Sequence, residues 1–183
     1  NFTIYLIILN TMNFNLKQMP ERTARPRTNG LTMIMDKGLG LDEVRNFLST
    51  SLPYVDIVKL GFGTSYVTSN LKEKLAIYKE HNVPVYFGGT LFEAFIIRDQ
   101  FQDYIDAMKE YGIDHVEVSD GSMDIDHKEK CKYISELAKH ATVLSEVGSK
   151  DAAHIIPPYK WIELMRAELE AGSRYVIAEA REA

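Results

Sequence analysis

Short apolar segments alternate with amphipathic helical segments six times along this chain, and this alternation constrains the fold more than any other feature. A helix between two strands must carry the chain back across the sheet, so the strands are predicted to be parallel. The predicted strands are Leu31 to Met35, Tyr54 to Lys59, Pro84 to Phe87, Asp114 to Val118, Ala141 to Leu144 and Tyr175 to Ala178. The sequence therefore predicts an α/β protein.

The spacing of the strands indicates which α/β fold this is. Their carboxyl ends recur 24 to 34 residues apart, and this near-regular interval favours a (β/α)8 TIM barrel over an open doubly wound sheet. Eight units take roughly 200 residues or more, whereas the chain has 183. We therefore expect residues 13–183 to form a single barrel domain, truncated after about six units with its C-terminal strands missing. Residues 1–12 are interpreted as an upstream extension, with a terminal strand as the alternative.

Composition and charge narrow the classes of partner. A net charge of −5 and a pI near 5.6 argue against nucleic-acid binding but leave room for a small anionic substrate. The apolar run near residue 1 is shorter than the roughly 20 residues that span a bilayer, so no membrane partner is expected. Cys131 cannot form an internal disulfide, which favours a reducing, cytoplasmic location, and it is predicted to be a small buried residue on a helix.

Lysines at strand ends are the sharpest candidates for function. Lys37, Lys59 and Lys150 all follow predicted strands, and barrel enzymes place their catalytic residues on that rim. A lysine there can neutralise a phosphate or carboxylate, or act as a general acid if its pKa is tuned. The alternative for each lysine is an ordinary ion pair with a neighbouring carboxylate. Three lysines in equivalent positions favour a functional role.

Five carboxylates also lie at or directly after the ends of predicted strands: Asp36, Glu117, Asp120, Glu146 and Glu179. Oxygen ligands beside a phosphate site are typical of Mg²⁺, which takes one or two carboxylates together with water and substrate. The alternative role of each carboxylate is to balance the lysines and arginines. The residues alone leave both roles open.

Two glycine-rich loops, at residues 61–65 and 88–90, precede helical segments. Their backbone N–H groups and hydroxyls can bind anions through converging dipoles, although glycine also serves ordinary turns. The candidate contacts in these loops are Gly63, Thr64, Gly88, Gly89 and Thr90. Neither a P-loop nor a dinucleotide-binding glycine fingerprint is present in the sequence, so nucleotide binding has no support.

A basic cluster, Arg22, Arg25 and Arg27, lies in the polar segment before the first strand. Pro20 and Pro26 interrupt this segment, so it is predicted to be extended instead of helical. A solvated arm is the favoured interpretation of the cluster, and an anion contact across the barrel mouth is the alternative.

The motifs at the six strand ends are MDKG at 35–38, VKLGFGTS at 58–65, FGGTLFE at 87–93, VEVSDGS at 116–122, LSEVGSKD at 144–151 and EARE at 179–182. Taken together and in order, they resemble the phosphosulfolactate synthase family from about residue 22 to residue 182. The resemblance implies a Mg²⁺-dependent (β/α)8 lyase that adds sulfite to phosphoenolpyruvate. The implied product is (2R)-phospho-3-sulfolactate, the first step of one route to coenzyme M, and the implied assembly is a homo-oligomer.

The resemblance also implies roles for individual residues. The lysine of the family's EVG-x-K motif, the implied proton donor, falls on Lys150, although some members carry a second lysine where this chain has Ser149. Lys59 and Lys37 would add positive charge, and Arg181 is a candidate clamp for sulfite or carboxylate. Ser119 is a further candidate substrate contact. The candidate Mg²⁺ neighbours are Glu117, Glu146 and Glu179.

Two other functions remain open. The resemblance extends to plant heat-stress-associated proteins, which are implicated in protein maintenance, so a non-catalytic barrel is one alternative. A related lyase that acts on another enol phosphate is the second. Charges retained at all six strand ends favour an enzyme, because a scaffold has no need to hold them on one rim.

Overall fold

The computed structural model describes residues 13–14, 16–149 and 155–180, so the predicted extension at residues 1–12 lies outside the described residues. The strands are β1 (Met33–Asp36), β2 (Ile57–Leu60), β3 (Val85–Phe87), β4 (His115–Val118), β5 (Thr142–Ser149) and β6 (Ser173–Ala180). The helices are α1 (Leu41–Ser51), α2 (Leu71–Glu80), α3 (Gly89–Ile96), α4 (Phe101–Tyr111), α5 (His127–Leu137) and α6 (Pro158–Ala171). Across the described part of the chain, every helix is too short or too polar to traverse a bilayer.

The strands form one parallel sheet in the order β1-β2-β3-β4-β5-β6. Each strand therefore pairs with its neighbours in sequence, as in the wall of a (β/α) barrel. The strand order of a doubly wound sheet would instead reverse at a switch point. The predicted α/β class and parallel, barrel-type order are confirmed.

Alternation along the strands gives the sheet two different faces. The outer face, which includes Val58, Phe87 and Val116, packs with the helices in the main hydrophobic core. The inner face carries a smaller apolar cluster made of Ile57, Tyr86 and Leu144, with Met33, Tyr175 and Ile177 packed against it. Burial on both faces explains why most strands read as nearly continuous apolar runs.

The last two strands are longer than predicted, at eight residues each. They pair from Leu144 with Tyr175 to Ser149 with Ala180, so each strand supplies the backbone partners of the other. The predicted strand ended at Leu144, whereas the polar residues that follow it are strand through Ser149. The polar residues were misleading because backbone pairing, and not side-chain polarity, sets the end of this strand.

Helix α3 was not predicted. It buries Leu91, Phe92, Glu93 and Ile96. The helix has only eight residues, fewer than the window of about 11 to 18 residues in which an amphipathic period is recognised in a sequence. Its N-terminus begins at Gly89, directly after β3.

Helices α5 and α6 each bury one charged residue. Lys130 and Glu168 are 1% and 0% exposed, respectively. Cys131, predicted to be buried, is only partly so, and Ile162 and Leu169 on α6 are exposed. The ion pair between Lys130 and Glu168 compensates both buried charges between the two helices.

The arginines before β1 are not a solvated arm. The Arg27 side chain is 4% exposed, and its guanidinium lies 2.9 Å from Asp56 Oδ1. Arg25 donates to the backbone carbonyls of Leu52 and Asn82. Asp56 and Asn82 precede β2 and β3, so these arginines fasten the segment to the amino-terminal end of the sheet, opposite the rim predicted to be functional.

We predict that Arg27→Ala lowers the free energy of unfolding by about 3 kcal/mol, because it removes the nearer guanidinium from the buried Asp56 carboxylate and leaves only Arg22, at 3.7 Å, as a charged partner. Arg45→Ala is the control, since Arg45 forms an exposed ion pair with Asp42 and should change stability by no more than about 0.5 kcal/mol. Urea unfolding of both variants measures the difference. Equal losses of unfolding free energy in the two variants would show that the Arg27 ion pair stabilises the fold no more than an exposed ion pair does.

Candidate active site

The centre of the candidate site is Lys59, whose ammonium lies between two glutamates. Lys59 Nζ is 2.6 Å from Glu117 Oε1 and 2.7 Å from Glu146 Oε1. Strand geometry explains the meeting: Lys59 shares the inner face with Ile57, and Glu146 shares it with Leu144. Glu117 is opposite Leu144 in the parallel register, so it points to the same side. The structure thus brings together one predicted catalytic lysine and two predicted metal neighbours.

Burial and mutual charge set the protonation of this group. Burial, and then the negative charge of Glu146, raise the pKa of Glu117 to about 7, although Lys59 opposes the rise. Burial lowers the pKa of Lys59, but Glu117 and Glu146 together outweigh that effect and raise it above its ordinary value. Lys59 therefore remains a cation at neutral pH, while Glu117 can gain or lose a proton near pH 7.

The glycines after β3 make room for this cluster. A Cβ on Gly89 would lie 2.6 Å from Ser119 Cβ and 2.9 Å from Glu117 Oε1, and one on Gly88 would lie 3.0 Å from Lys59 Cε. The Gly89 N–H, at the N-terminus of α3, donates to Glu117 Oε1 at 2.6 Å. A backbone donor predicted to contact a substrate anion thus binds one of the protein's own carboxylates.

Ser119 is held by Glu93, which is not among the predicted site residues. The Ser119 hydroxyl donates to Glu93 Oε1, and the N–H groups of Gly121 and Ser122 donate to the same carboxylate at 3.1 and 2.7 Å. Glu93 is 3% exposed, so this carboxylate fixes the loop after β4 from within the protein. The sequence feature that could have identified Glu93 is its position as a single acidic residue inside an apolar run.

A second group of predicted residues lies on the neighbouring loops. Lys37 is exposed, and its ammonium lies 5.6 Å from the centre of the Phe62 ring. A Cβ on Gly63 would lie 3.9 Å from Thr90 Cγ2, so the turn after β2 meets the first turn of α3 there. Thr64 belongs to the same β2 loop and donates to a backbone carbonyl within it. These residues border the rim, whereas Lys59 lies inside the sheet.

Two predicted residues, Lys150 and Arg181, lie outside the described residues. Their roles stay predictions. Glu179 is described: it pairs with Gly148 in the β5–β6 register and shares the inner face with Ile177, two residues earlier. The third predicted metal neighbour thus lies on the same face of the sheet as Glu146.

The remaining rim carboxylates are occupied by lysines on the outer side of the sheet. Asp36 Oδ2 accepts from Lys74 Nζ and from the Tyr78 hydroxyl, both at 3.0 Å. Asp120 Oδ1 lies 3.0 Å from Lys130 Nζ. The structure therefore favours the ion-pair interpretation for Asp36 and Asp120.

Glu117 and Glu146 are the donors most suited to a divalent cation. Within the described ranges, no group of three or more His, Cys, Asp or Glu side chains is arranged to hold a metal. Mg²⁺ needs only one or two protein carboxylates, however, because it retains water and binds substrate oxygens. Glu117 Oε2 is buried and makes no hydrogen bond of normal geometry in the described structure, although the Tyr86 hydroxyl lies beside this carboxylate, so the oxygen is open to a further ligand. The donor set fits Mg²⁺.

The sequence is similar to a known enzyme family. Residues 20–183 match the family model described as (2R)-phospho-3-sulfolactate synthase (ComA). The chain is 37% identical over 173 residues to the phosphosulfolactate synthase of Bacillus subtilis, covering 93% of the chain and 69% of that protein. It is 38% identical over 168 residues to the synthase of Methanothermobacter thermautotrophicus, covering 89% of the chain and 65% of that protein. The chain thus spans about two thirds of the length of these relatives.

A solved structure supports the fold independently. The crystal structure of 3-hexulose-6-phosphate synthase superposes with a TM-score of 0.52 at 19% sequence identity, covering 81% of this chain and 66% of that one. At this identity the likeness concerns the fold alone. It agrees with the six-stranded, barrel-type order of the described sheet.

We predict that the side-chain carboxyl of Glu117 titrates with an apparent pKa near 7, and that Glu146→Gln lowers this pKa. The substitution removes a negative charge that disfavours ionisation of Glu117. Carbon-13 NMR of the labelled glutamate carboxyls measures the titration. Glu163→Gln, which removes an exposed carboxylate on α6, should leave the Glu117 pKa unchanged. An unchanged or higher Glu117 pKa in Glu146→Gln would refute the assigned coupling.

Proposed function

The chain belongs to the (2R)-phospho-3-sulfolactate synthase (ComA) family, and we propose that it adds sulfite to phosphoenolpyruvate to give (2R)-phospho-3-sulfolactate. The observation that supports this proposal most strongly is the buried Lys59 ammonium held between Glu117 and Glu146 on the inner face of the sheet. A fixed cation inside a barrel suits small anionic substrates. The homo-oligomeric assembly and the cytoplasmic location are part of the same proposal.

The proposed reaction forms one carbon–sulfur bond and one carbon–hydrogen bond. The sulfur lone pair of sulfite attacks the methylene carbon of phosphoenolpyruvate, and the π electrons of the double bond move onto the substrate carboxylate. A proton is then delivered to the carbon that bears the phosphate ester. The carboxylate therefore passes through a doubly charged aci form, and positive charge placed where that charge develops accelerates the reaction.

Lys59 is proposed to supply part of that charge. The two carboxylates hold its ammonium in one place, so little reorganisation is needed when the substrate charge develops. Ile57, Tyr86 and Leu144 form an apolar cluster on the same face of the sheet. This cluster limits the access of water to the Lys59 ammonium. Lys150 is proposed as the proton donor, as its place in the EVG-x-K motif implies.

Mg²⁺ is proposed as the cofactor, held by Glu117 and Glu146. One positive charge on Lys59 faces two carboxylates, so three anionic groups of substrate would meet too little positive charge without a further cation. Bound there, Mg²⁺ would supply the additional positive charge that stabilises the aci-carboxylate. Glu179 is the remaining proposed neighbour, because it lies on the same face.

The test is to incubate the full-length protein with phosphoenolpyruvate, sulfite and Mg²⁺ and to follow phosphosulfolactate by mass spectrometry. We expect product that depends on all three components and disappears when EDTA removes the metal. A folded protein that forms no product would refute the synthase proposal. Product formed equally well without metal would refute the Mg²⁺ assignment alone.

Substitution of the proposed proton donor refines the same assay. Lys150→Ala is expected to lower kcat by about 100-fold or more, the range that a general acid contributes. Lys132→Ala is the matched control, because Lys132 is an exposed lysine on α5. If Lys150→Ala retains the activity of Lys132→Ala, the proton comes from another group.

A further inference from the structure

Lys130 is a buried charge that the proposed chemistry does not use. It lies on α5, outside the sheet, one turn before the buried Ile134, where core packing alone would place an apolar residue. Its exposed fraction is 1%. Burying a lysine costs free energy unless its charge and its three N–H donors all find partners.

The partners of Lys130 come from three different elements. Its Nζ lies 3.0 Å from Asp120 Oδ1 in the loop after β4 and 2.9 Å from Glu168 Oε1 on α6. The same ammonium donates to the backbone carbonyl of Glu146 on β5. Three donors thus meet three acceptors, and one of these acceptors belongs to the main chain of a residue at the candidate active site.

The bond to Glu146 lies where the sheet itself stops supporting β5 on one side. The last residue pair between β4 and β5 is Val118 with Ser145, so Glu146 is one residue beyond the β4 ladder. A carbonyl fixed by Lys130 fixes the orientation of that peptide. The direction of the attached side chain, whose carboxylate reaches Lys59 at 2.7 Å, follows from it.

We propose that Lys130 is a positioning residue that holds β5 at Glu146, where its pairing with β4 has ended, so that the Glu146 carboxylate meets Lys59. Glu168 anchors Lys130 from α6, and Asp120 ties the β4 loop to the same ammonium. The three contacts brace the loop after β4 and the middle of β5 from the outer side of the sheet. The expected effect on kcat rests on the proposed synthase function. The expected effect on the position of the Glu146 carboxylate does not.

The charge of the group supports this arrangement. Burial lowers the pKa of Lys130, but Glu168 and then Asp120 raise it above its ordinary value, so the ammonium stays protonated. A neutral amine would lose its attraction for the two carboxylates. Lys130 therefore acts as a permanent bridge.

The test separates positioning from stability with three variants of the full chain. Lys130→Met removes the bridge but leaves Glu168 buried without its lysine, so its Tm should fall and its kcat should drop by at least 10-fold. Lys130→Met/Glu168→Met also removes the second buried charge. Its Tm should recover most of the loss, while its kcat stays at least 10-fold below that of the unmodified protein. Lys132→Met, an exposed substitution on the same helix, should change neither quantity.

A crystal structure of Lys130→Met/Glu168→Met supplies a measurement that needs no activity. The proposal predicts that the Glu146 carboxylate moves beyond 4 Å from Lys59 Nζ. A retained distance near 2.7 Å, or a kcat that recovers together with Tm, would overturn the positioning role. An unmodified protein without synthase activity would instead refute the proposed function, and the crystallographic distance would still decide the role of Lys130.

Discussion

The ion pairs of Lys59 with Glu117 and Glu146 are the interaction on which the rest of the site depends. Three ionisable groups inside a sheet carry a large desolvation cost, which only short contacts among them can offset. That requirement explains the features around them. Gly88 and Gly89 leave the space that a Cβ would fill, and the first N–H of α3 contributes a further bond to Glu117.

Buried ion pairs also lie on the outer side of the sheet, where their role is structural. Lys74 binds Asp36 at the end of β1, and Lys130 binds Asp120 in the loop after β4 and the main chain of β5. Glu93 similarly gathers the loop after β4. The strand ends are therefore held from the helical side by buried polar contacts, while the inner face presents Lys59 and its two carboxylates. Such rigid support is what a preorganised catalytic site requires.

Sequence periodicity was sufficient to predict the parallel α/β fold, because apolar strands and amphipathic helices differ in their repeat. It was also sufficient to place Lys59 and Glu117 at strand ends, whereas Glu146 lies within β5, which continues to Ser149. The sequence could not predict that these three residues pair, because Lys59 and Glu146 are separated by 87 positions and several other charges share the same rim. Nor could it distinguish Asp36 and Asp120 from them, since their partners Lys74 and Lys130 lie on helices that only the fold brings against the strand ends.

The central claim is that the cation between Glu117 and Glu146 marks the substrate site. A crystal structure of the full-length protein with phosphoenolpyruvate and Mg²⁺ tests it most directly. The account predicts phosphoenolpyruvate on the inner face of the sheet, with one of its oxygens within about 3.2 Å of Lys59 Nζ, the usual limit of a hydrogen bond. Phosphoenolpyruvate bound away from the inner face, with Lys59 still contacting only its two glutamates, would contradict the claim.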